Sequence, residues 1–340
     1  MYNRRKDEVN DMEIQLTARL RGTTKAQWEA LLRKTGLEPD AQWDQTALLW
    51  DGDTLAATGS RMGNILKCIA VSPDHRGEDL TAQVLSTLRS EAFREGHRHL
   101  FLYTKPENEM LFRGLFFYPV AKTETVLLME DKPQGIADFL DTLPQPEGNG
   151  TVGAAVMNCD PFTLGHRYLI ETAAKECDRI FVFVLSEDRG HFPAADRLEL
   201  VRQGTADLKN VTVLPTGPYL ISAATFPTYF LKDRDSADTV RCGLDIEIFT
   251  RYYAPRFRIT RRYVGTEPFS PMTEAYNRAL EAALPQKGIQ LRLVPRKEGK
   301  DGPVSASAVR RKLAAGEEVS HLVPETTLSY LKNQGGFQNG

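Results

Sequence analysis

Apolar and polar residues follow one rhythm before about residue 131 and a different one after about residue 150. In the first part, Thr46–Ser60 predicts a hairpin that turns at Asp51–Asp53. The apolar spacing over Leu80–Gly96 predicts a long amphipathic helix. Further strands are predicted over residues 65–72, 99–105 and 123–130, with a short helix over 107–116. This order of elements predicts a smaller α+β domain.

In the second part, apolar strands alternate with amphipathic helices. Strands are predicted over residues 151–158, 179–187, 211–217, 261–267 and 290–296. Helices are predicted to begin near Leu164, Ala194, Ala223, Leu244, Met272 and Ser305. The strands are near-continuous apolar runs, as expected when helices cover both faces of a sheet. We therefore expect a doubly wound parallel α/β sheet, which binds ligands outside the carboxyl ends of its strands.

The two parts are separated by a stretch of unusual composition. Residues 144–150 contain two prolines, two glycines and no apolar residue, which is typical of a linker. The sequence thus predicts a first domain over residues 1–131, a linker over 132–150 and a second domain over 151–335.

Composition narrows the class of protein. The 340 residues are 41% hydrophobic and 26% charged with a net charge of −2, which gives no reason to expect nucleic acid or a membrane as a partner. The four cysteines include no C-x-x-C pair, which favours a reducing cytoplasm and predicts no metal site. The N-terminus lacks the apolar core of a signal peptide, and no apolar run reaches about 18 residues.

The first candidate site follows the first strand of the second domain. The strand ends at Asn158, the chain turns through Phe162, and a helix is predicted from about Leu164. The N-terminus of a helix favours phosphate, Gly165 allows close approach, and the His166 ring can donate to a phosphate oxygen, best when protonated. The alternative is an ordinary capped turn in which Thr163 is the N-cap and His166 is a surface residue.

The second candidate site lies near the end of the chain. In the segment Pro303–Leu313, Ser305 and Ser307 fall near a predicted helix start and Arg310 comes one turn later. Two hydroxyls, the terminal amides and a guanidinium could hold a second anion, although a serine cap on a solvated basic helix is an equal alternative. Two such helix starts beside one crevice together indicate a nucleoside triphosphate.

These motifs resemble a known superfamily. T-x-G-H at Thr163–His166 and S-x-S-x-x-R at Ser305–Arg310 are similar to the H-x-G-H and I-S-S-T-x-x-R motifs of nucleotidylyltransferases, with Thr163 in place of the first His. Five longer blocks resemble the [citrate (pro-3S)-lyase] ligase family: 157–171, 186–201, 220–232, 263–277 and 304–310. The N-terminal part resembles GNAT acetyltransferases.

The resemblance implies a reaction. Members of this family use ATP and acetate to acetylate the thiol of a CoA-derived prosthetic group on the acyl carrier subunit of citrate lyase, and they release AMP and pyrophosphate. It also implies Mg²⁺ as the companion of ATP. Two other classes stay open at this point: a nucleotidylyltransferase that condenses ATP with a phosphomonoester, and a non-catalytic module that senses acetyl-CoA.

The resemblance also implies roles for individual residues. His166 and Thr163 are expected to act on the α-phosphate, and Asn158 and Phe162 to orient the triphosphate. The expected ATP-binding residues further include Gly165 in the first turn, Ser305, Ser307 and Arg310 at the β/γ end, and Gly265, Thr266 and Glu267 at the nucleoside. Arg189 and Arg197 are possible phosphate contacts, with a place on the helix surface as the alternative for Arg197.

A loop in the first part resembles the pyrophosphate loop of GNAT proteins. Arg76 and Gly77 match the R-G start of that pattern, which implies contact with a CoA-type arm. Asp79 stands where a second glycine is usual, and its carboxylate would repel a diphosphate. A loop that serves structure only is the equal alternative.

Overall fold

The computed structural model describes residues 12–40, 42–75, 79–188, 190–220, 237–266, 271–300 and 302–333. The chain divides into two compact units, one of residues 1–135 with 227–240 and the other of residues 136–226 with 241–340. Within the described ranges, no helix is both long and apolar enough to cross a membrane.

The first unit is a mixed sheet of seven strands with helices packed on it. The strands are β1 (Met12–Thr17), β2 (Gln45–Asp51), β3 (Thr54–Met62), β4 (Ile65–Val71), β5 (Phe101–Thr104), β6 (Tyr118–Lys122) and β7 (Leu127–Glu130). The helices are α1 (Gly22–Lys34), α2 (Leu80–Arg94) and α3 (Glu109–Gly114). The strand order is β1-β2-β3-β4-β5-β7-β6, and only β4 and β5 pair in parallel.

The core of this unit lies between α2 and the sheet. Leu80, Val84, Leu85, Leu88 and Ala92 face inward from α2, at the spacing that the sequence predicts. The predicted hairpin, the strands at 65–72, 99–105 and 123–130, and both predicted helices are confirmed. The sequence analysis missed β1, α1 and β6.

The predicted linker contains a short helix, α4 (Gly135–Asp141), which buries Ile136 and Leu140. Residues 142–151 then lead into the second sheet. The domain boundaries at 131 and 150 stay a prediction.

The second unit is built on five parallel strands, which confirms the expected sheet. They are β8 (Val152–Met157), β9 (Arg179–Val184), β10 (Val211–Pro215), β11 (Arg261–Gly265) and β12 (Gln290–Val294). The order β10-β9-β8-β11-β12 reverses direction between β8 and β11. The carboxyl ends of these two strands therefore open a crevice in which ligands of such sheets bind.

Helices accompany each of these strands. They are α5 (Leu164–Glu176), α6 (Ala194–Gly204), α7 (Ala237–Ile248), α8 (Ala254–Arg256), α9 (Pro271–Ala283), α10 (Ala306–Ala314) and α11 (Glu325–Asn333). A π-helical segment, Phe249–Tyr253, joins α7 to α8, and the short strands β13 (Glu298–Gly299) and β14 (Gly302–Pro303) precede α10. The helix predicted near Leu244 begins earlier, at Ala237, and the one predicted near Ala223 lies outside the described residues.

Apolar side chains are buried on both faces of the second sheet. Val182 of β9 packs with Ile170 of α5 and Val201 of α6 in one cluster. Phe183, its neighbour in β9, points to the other face and meets Tyr253 and Phe257 edge-on. Burial on both faces explains why these strands are continuous apolar runs.

Candidate active site

A cavity of about 340 Å³ lies at the carboxyl ends of β8 and β11. The starts of α5 and α10 contribute Thr163, Gly165, His166, Ser305, Ala306 and Ser307 to its lining. Apolar and aromatic side chains line the rest, together with Asn277, Arg296 and Lys297. None of the described residues that line it is acidic, so the cavity suits an anionic ligand with an apolar part.

Thr163 and His166 form a reciprocal cap at the start of α5. The Thr163 hydroxyl accepts from the His166 backbone N–H at 3.3 Å, and the His166 Nδ1 atom accepts from the Thr163 backbone N–H at 3.1 Å. Thr163 is therefore the N-cap, as the alternative interpretation had it. His166 is not a surface residue, however, because it is half-buried and lines the cavity.

This cap also defines the state of the His166 ring. Because Nδ1 accepts the Thr163 N–H, the ring proton of neutral His166 belongs on Nε2. Burial and, secondarily, the charge of Arg296 lower the pKa of His166 from its usual 6.5 to about 4. At neutral pH the ring is thus a neutral donor, whereas the sequence analysis noted that it would donate best when protonated.

We expect the depressed pKa of His166 to make stability depend on pH. Between pH 6.5 and 4, an unfolded chain binds a proton on His166 that the folded chain does not, so the free energy of unfolding falls as the pH falls. From pH 7.5 to pH 5 this costs up to about 2 kcal/mol. Denaturant unfolding of wild type and His166→Gln at both pH values should show that the free energy of unfolding falls less in the variant. An equal loss in both proteins would contradict the neutral state.

Gly165 lets the two helix starts meet. A Cβ atom on Gly165 would lie 2.5 Å from the carbonyl oxygen of Val304, the residue before the cap of α10. The neighbouring Leu164 backbone N–H donates to Leu322 at 2.9 Å. The missing side chain therefore permits close contact between two backbone segments, and this contact brings both helix N-termini to one cavity.

The start of α10 presents the residues that the sequence singled out. Ser305 is the N-cap and accepts from Ala308 N–H at 3.1 Å. Ser307 lines the cavity, and its hydroxyl accepts from Nη2 of Arg310 at 3.3 Å. The Nη1 atom of Arg310 donates to the Asp160 carbonyl oxygen. Arg310 is not among the residues that line the cavity, but its guanidinium lies beside Ser307, which does line it.

Arg197 does not fit either of its predicted positions. It is fully buried, where the sequence analysis expected a phosphate contact or a helix surface. Its guanidinium donates to the side-chain oxygen of Asn158 at 2.6 Å, to the Asn158 carbonyl at 2.7 Å and to Phe192 at 3.1 Å. A further donor reaches the carbonyl of Glu187. Through these hydrogen bonds, the guanidinium stabilises the turn after β8.

Asn158 and Phe162 also differ from simple ligand contacts, since neither is among the residues that line the cavity. Asn158 is exposed, with its side-chain oxygen bound to Arg197. Phe162 is fully buried, and its ring lies almost parallel to that of His166 with 6.0 Å between the centroids. Phe162 therefore supports the His166 ring from within the core.

The remaining predicted residues fall into two groups. Gly265 lines the cavity at the end of β11, and its carbonyl accepts from the Asn277 amide at 3.1 Å. Thr266 follows it and accepts from Arg296 at 2.9 Å. Glu267, Arg189, Arg76 and Gly77 lie outside the described residues, and their contacts stay predictions.

Asp79, at the start of α2, has φ −74° and so does not need the backbone freedom of glycine.

Sequence analysis missed two cationic residues of the cavity. Arg296 and Lys297 come two and three residues after the end of β12, the strand next to β11, and both line the cavity. Arg296 is half-buried, and burial lowers the pKa of its guanidinium. Its Nε donates to the Thr266 carbonyl, which fixes the plane of the guanidinium. Basic residues at the carboxyl end of a predicted parallel strand were the available signal.

Known proteins resemble both halves of the chain. The profile of the family "Citrate lyase ligase C-terminal domain" matches residues 152–331. A curated relative, the [citrate [pro-3S]-lyase] ligase of Klebsiella pneumoniae, is 39% identical over 311 residues, 89% of this chain and 91% of that protein. The phosphopantetheine adenylyltransferase of Corynebacterium efficiens is 25% identical over 178 residues, 52% of this chain and 92% of that protein.

Among solved structures, Escherichia coli ElaA is similar, with a TM-score of 0.32 and 16% identity over 36% of this chain and 99% of that one. The sheet and the cavity together define an α/β protein in which two helix N-termini line one cavity. The family profile covers more than half of the chain, and the Klebsiella relative matches along nearly all of it. The chain belongs to the citrate lyase ligase family.

Proposed function

We propose that this protein is an acid–thiol ligase that activates citrate lyase. It uses ATP and acetate to acetylate the thiol of the CoA-derived prosthetic group on the acyl carrier subunit, and it releases AMP and pyrophosphate. Membership of the citrate lyase ligase family supports this activity. The similarity to an adenylyltransferase supports ATP as the activating substrate.

Acetate must be activated first, because oxide cannot leave when a thiol attacks a carboxylate. In the first step, a carboxylate oxygen of acetate attacks the α-phosphorus, and the bond to the β-phosphate breaks so that pyrophosphate leaves with its electron pair. In the second step the thiol sulfur attacks the acetyl carbon, AMP leaves with the electrons of the C–O bond, and the thiol proton passes to solvent.

The first step builds negative charge at the α-phosphoryl oxygens. His166 supports this step best, because its Nδ1 is held by Thr163 and its Nε2–H remains as the donor for the cavity. A preorganised neutral donor stabilises developing charge without the cost of reorientation. Thr163 holds the ring and caps the helix whose N-terminal amides face the same cavity.

The β- and γ-phosphates would lie at the start of α10. Ser305, Ser307 and Arg310 provide amides, hydroxyls and a guanidinium there, and Arg296 and Lys297 add positive charge to the lining of the same cavity. Gly265 and Thr266, with Glu267, remain the proposed contacts of the nucleoside.

Mg²⁺ is expected to enter with the triphosphate. Thr163, Ser305, Ser307 and Asn277, which carry hydroxyl or amide oxygens, line the cavity, and within the described ranges no cluster of three His, Cys, Asp or Glu side chains forms a metal cage. This fits a metal held mostly by phosphate oxygens and water. When bound, Mg²⁺ would neutralise charge on the leaving pyrophosphate.

One observation carries the proposal: the two helix starts line a single cavity at the carboxyl edge of a parallel sheet. The test is ATP–pyrophosphate exchange with and without acetate, followed by transfer of the acetyl group to deacetylated citrate lyase. We expect acetate-dependent exchange and an acetyl-thioester on the acyl carrier subunit. A new phosphoanhydride formed from ATP and a phosphomonoester would instead identify a nucleotidylyltransferase.

We expect Ser305→Ala and Arg310→Ala to weaken ATP binding more than catalysis. Both residues lie at the proposed β/γ end, remote from the bond that forms, so part of the loss should appear as a raised KM for ATP. Arg310→Lys should restore only part of it, because a point charge cannot replace the guanidinium fork. Steady-state kinetics over a range of ATP concentrations measures this. An unchanged KM in both alanine variants would remove α10 from the site.

A further inference from the structure

Asp160 forms a buried hub next to the cavity. Only 5% of this residue is exposed. One carboxylate oxygen accepts from the Phe192 backbone N–H at 3.0 Å, and the other accepts from the His191 backbone N–H at 3.2 Å and lies 3.2 Å from its Nδ1 atom. A Cβ on Gly190 would lie within about 3.0 Å of the same carboxyl group. The loop at 190–192 therefore closes directly over Asp160.

Asp160 holds one edge of Arg310 through its backbone carbonyl, with its carboxylate as a nearby counter-charge. Nη1 of Arg310 lies 3.6 Å from the Asp160 Oδ2 atom and donates to the carbonyl oxygen of the same residue. Nη2, on the other arm of the guanidinium, points to Ser307, which lines the cavity. Since the Asp160 end is buried and the Arg310 side chain is 27% exposed, the guanidinium has an anchored arm and an outward arm.

We propose that Asp160 is a positioning residue for phosphate binding: it holds Nη1 of Arg310 so that Nη2 faces the ligand beside Ser307. This inference rests on the proposed function for the identity of the ligand. A long side chain loses rotamer freedom when it binds, and an anchor formed in advance removes part of that cost. Asp160 thus acts through Arg310 and has no direct contact with substrate.

The negative charge of Asp160 matters because its partners are all donors. The carboxylate receives two backbone N–H groups and lies against two cationic or polar side chains, His191 and Arg310. Asparagine has the same shape but exchanges one acceptor oxygen for a donating NH₂ group. In Asp160→Asn the NH₂ group replaces one of the two oxygens. It must then face the Phe192 N–H on one side, or the His191 N–H together with Arg310 on the other. The variant keeps the volume of the site and the backbone carbonyl that accepts from Nη1, and it loses the negative charge 3.6 Å from that atom.

The test compares Asp160→Asn with Asp207→Asn in the full chain. Asp207 is a matched control, because its carboxylate also pairs with an arginine of this unit, Arg167, at 2.7 and 3.0 Å, yet it is 60% exposed and no part of the cavity. We expect Asp160→Asn to raise the KM for ATP in acetate-dependent exchange about fivefold, with kcat within about twofold. Asp207→Asn should leave both unchanged.

A double-mutant cycle with Arg310→Ala separates positioning from general stability. If Asp160 acts through Arg310, then adding Asp160→Asn to Arg310→Ala should change the KM by less than about twofold. A full additional fivefold loss in that background would overturn the proposal, and so would an unchanged KM for Asp160→Asn alone.

Direct binding of ATP distinguishes the positioning role of Asp160 from the proposed function. Calorimetry with ATP measures binding without turnover, and we expect the Kd to rise about fivefold in Asp160→Asn but not in Asp207→Asn. A wild-type chain that binds ATP but shows no acetate-dependent exchange would contradict the proposed function. The comparison of Kd values for ATP would still test the positioning role of Asp160. Equal Kd values for wild type and Asp160→Asn would contradict the positioning role.

Discussion

His166→Ala should lower the rate of acetate-dependent ATP–pyrophosphate exchange at least about a hundredfold at saturating ATP. The substitution removes the Nε2–H donor from the cavity, and loss of one donor to developing charge costs about 3 kcal/mol. Because the helix also loses half of its reciprocal cap, we expect stability to fall by about 1 kcal/mol. The chain should still fold.

A second substitution separates the two effects. His166→Gln retains a neutral donor, so it should recover part of the exchange rate that alanine loses. Thermal unfolding of both variants would show whether the remaining loss follows stability. Turnover by His166→Ala close to that of wild type would remove His166 from the catalytic residues.

Gly165→Ala should have an effect of similar size for a different reason. The new Cβ would meet the Val304 carbonyl oxygen at 2.5 Å, and a backbone atom cannot move aside as the end of a side chain can. The start of α5 must then separate from the segment before α10. A displacement of about 1 Å in a catalytic arrangement can cost about a hundredfold in rate, so we expect a loss of that order in exchange and weaker ATP binding.

The matched control is Gly114→Ala, at the end of α3. A Cβ on Gly114 meets nothing within 4 Å, so this variant should be close to wild type in exchange and in thermal stability. Calorimetry and exchange measured on both variants would test the comparison. Normal ATP binding by Gly165→Ala would mean that the contact between the two helix starts does not determine the site.

The motif residues were predictable because they lie at the starts of two helices, α5 after the parallel strand β8 and α10 after β12 and the short strands β13 and β14. Thr163, Gly165, His166, Ser305 and Ser307 all line one cavity, although they are up to 144 positions apart in sequence. The regular alternation of strands and helices implies that their strand ends share one edge of the sheet. Contact of these residues with ATP itself remains a proposal.

Other members of the site depended on tertiary contacts that leave no local pattern. Arg197 looked available on a helix, but its side chain turns inward to acceptors 5 to 39 positions away. Asp160 contacts Arg310, which lies 150 positions later. Arg296 follows an ordinary strand, and only the fold places its charge where it lowers the pKa of His166.

The sequence by itself determined the kinds of elements, the two-part organisation and the family, because these depend on local periodicity and on motifs of adjacent residues. It also determined which helix starts carry hydroxyls, a glycine and a histidine. The tertiary structure alone decided the neutral state of His166, the buried role of Arg197 and the anchor between Asp160 and Arg310. Protonation and side-chain pairing depend on burial and on distances between residues far apart in the chain, and neither quantity exists until the chain has folded.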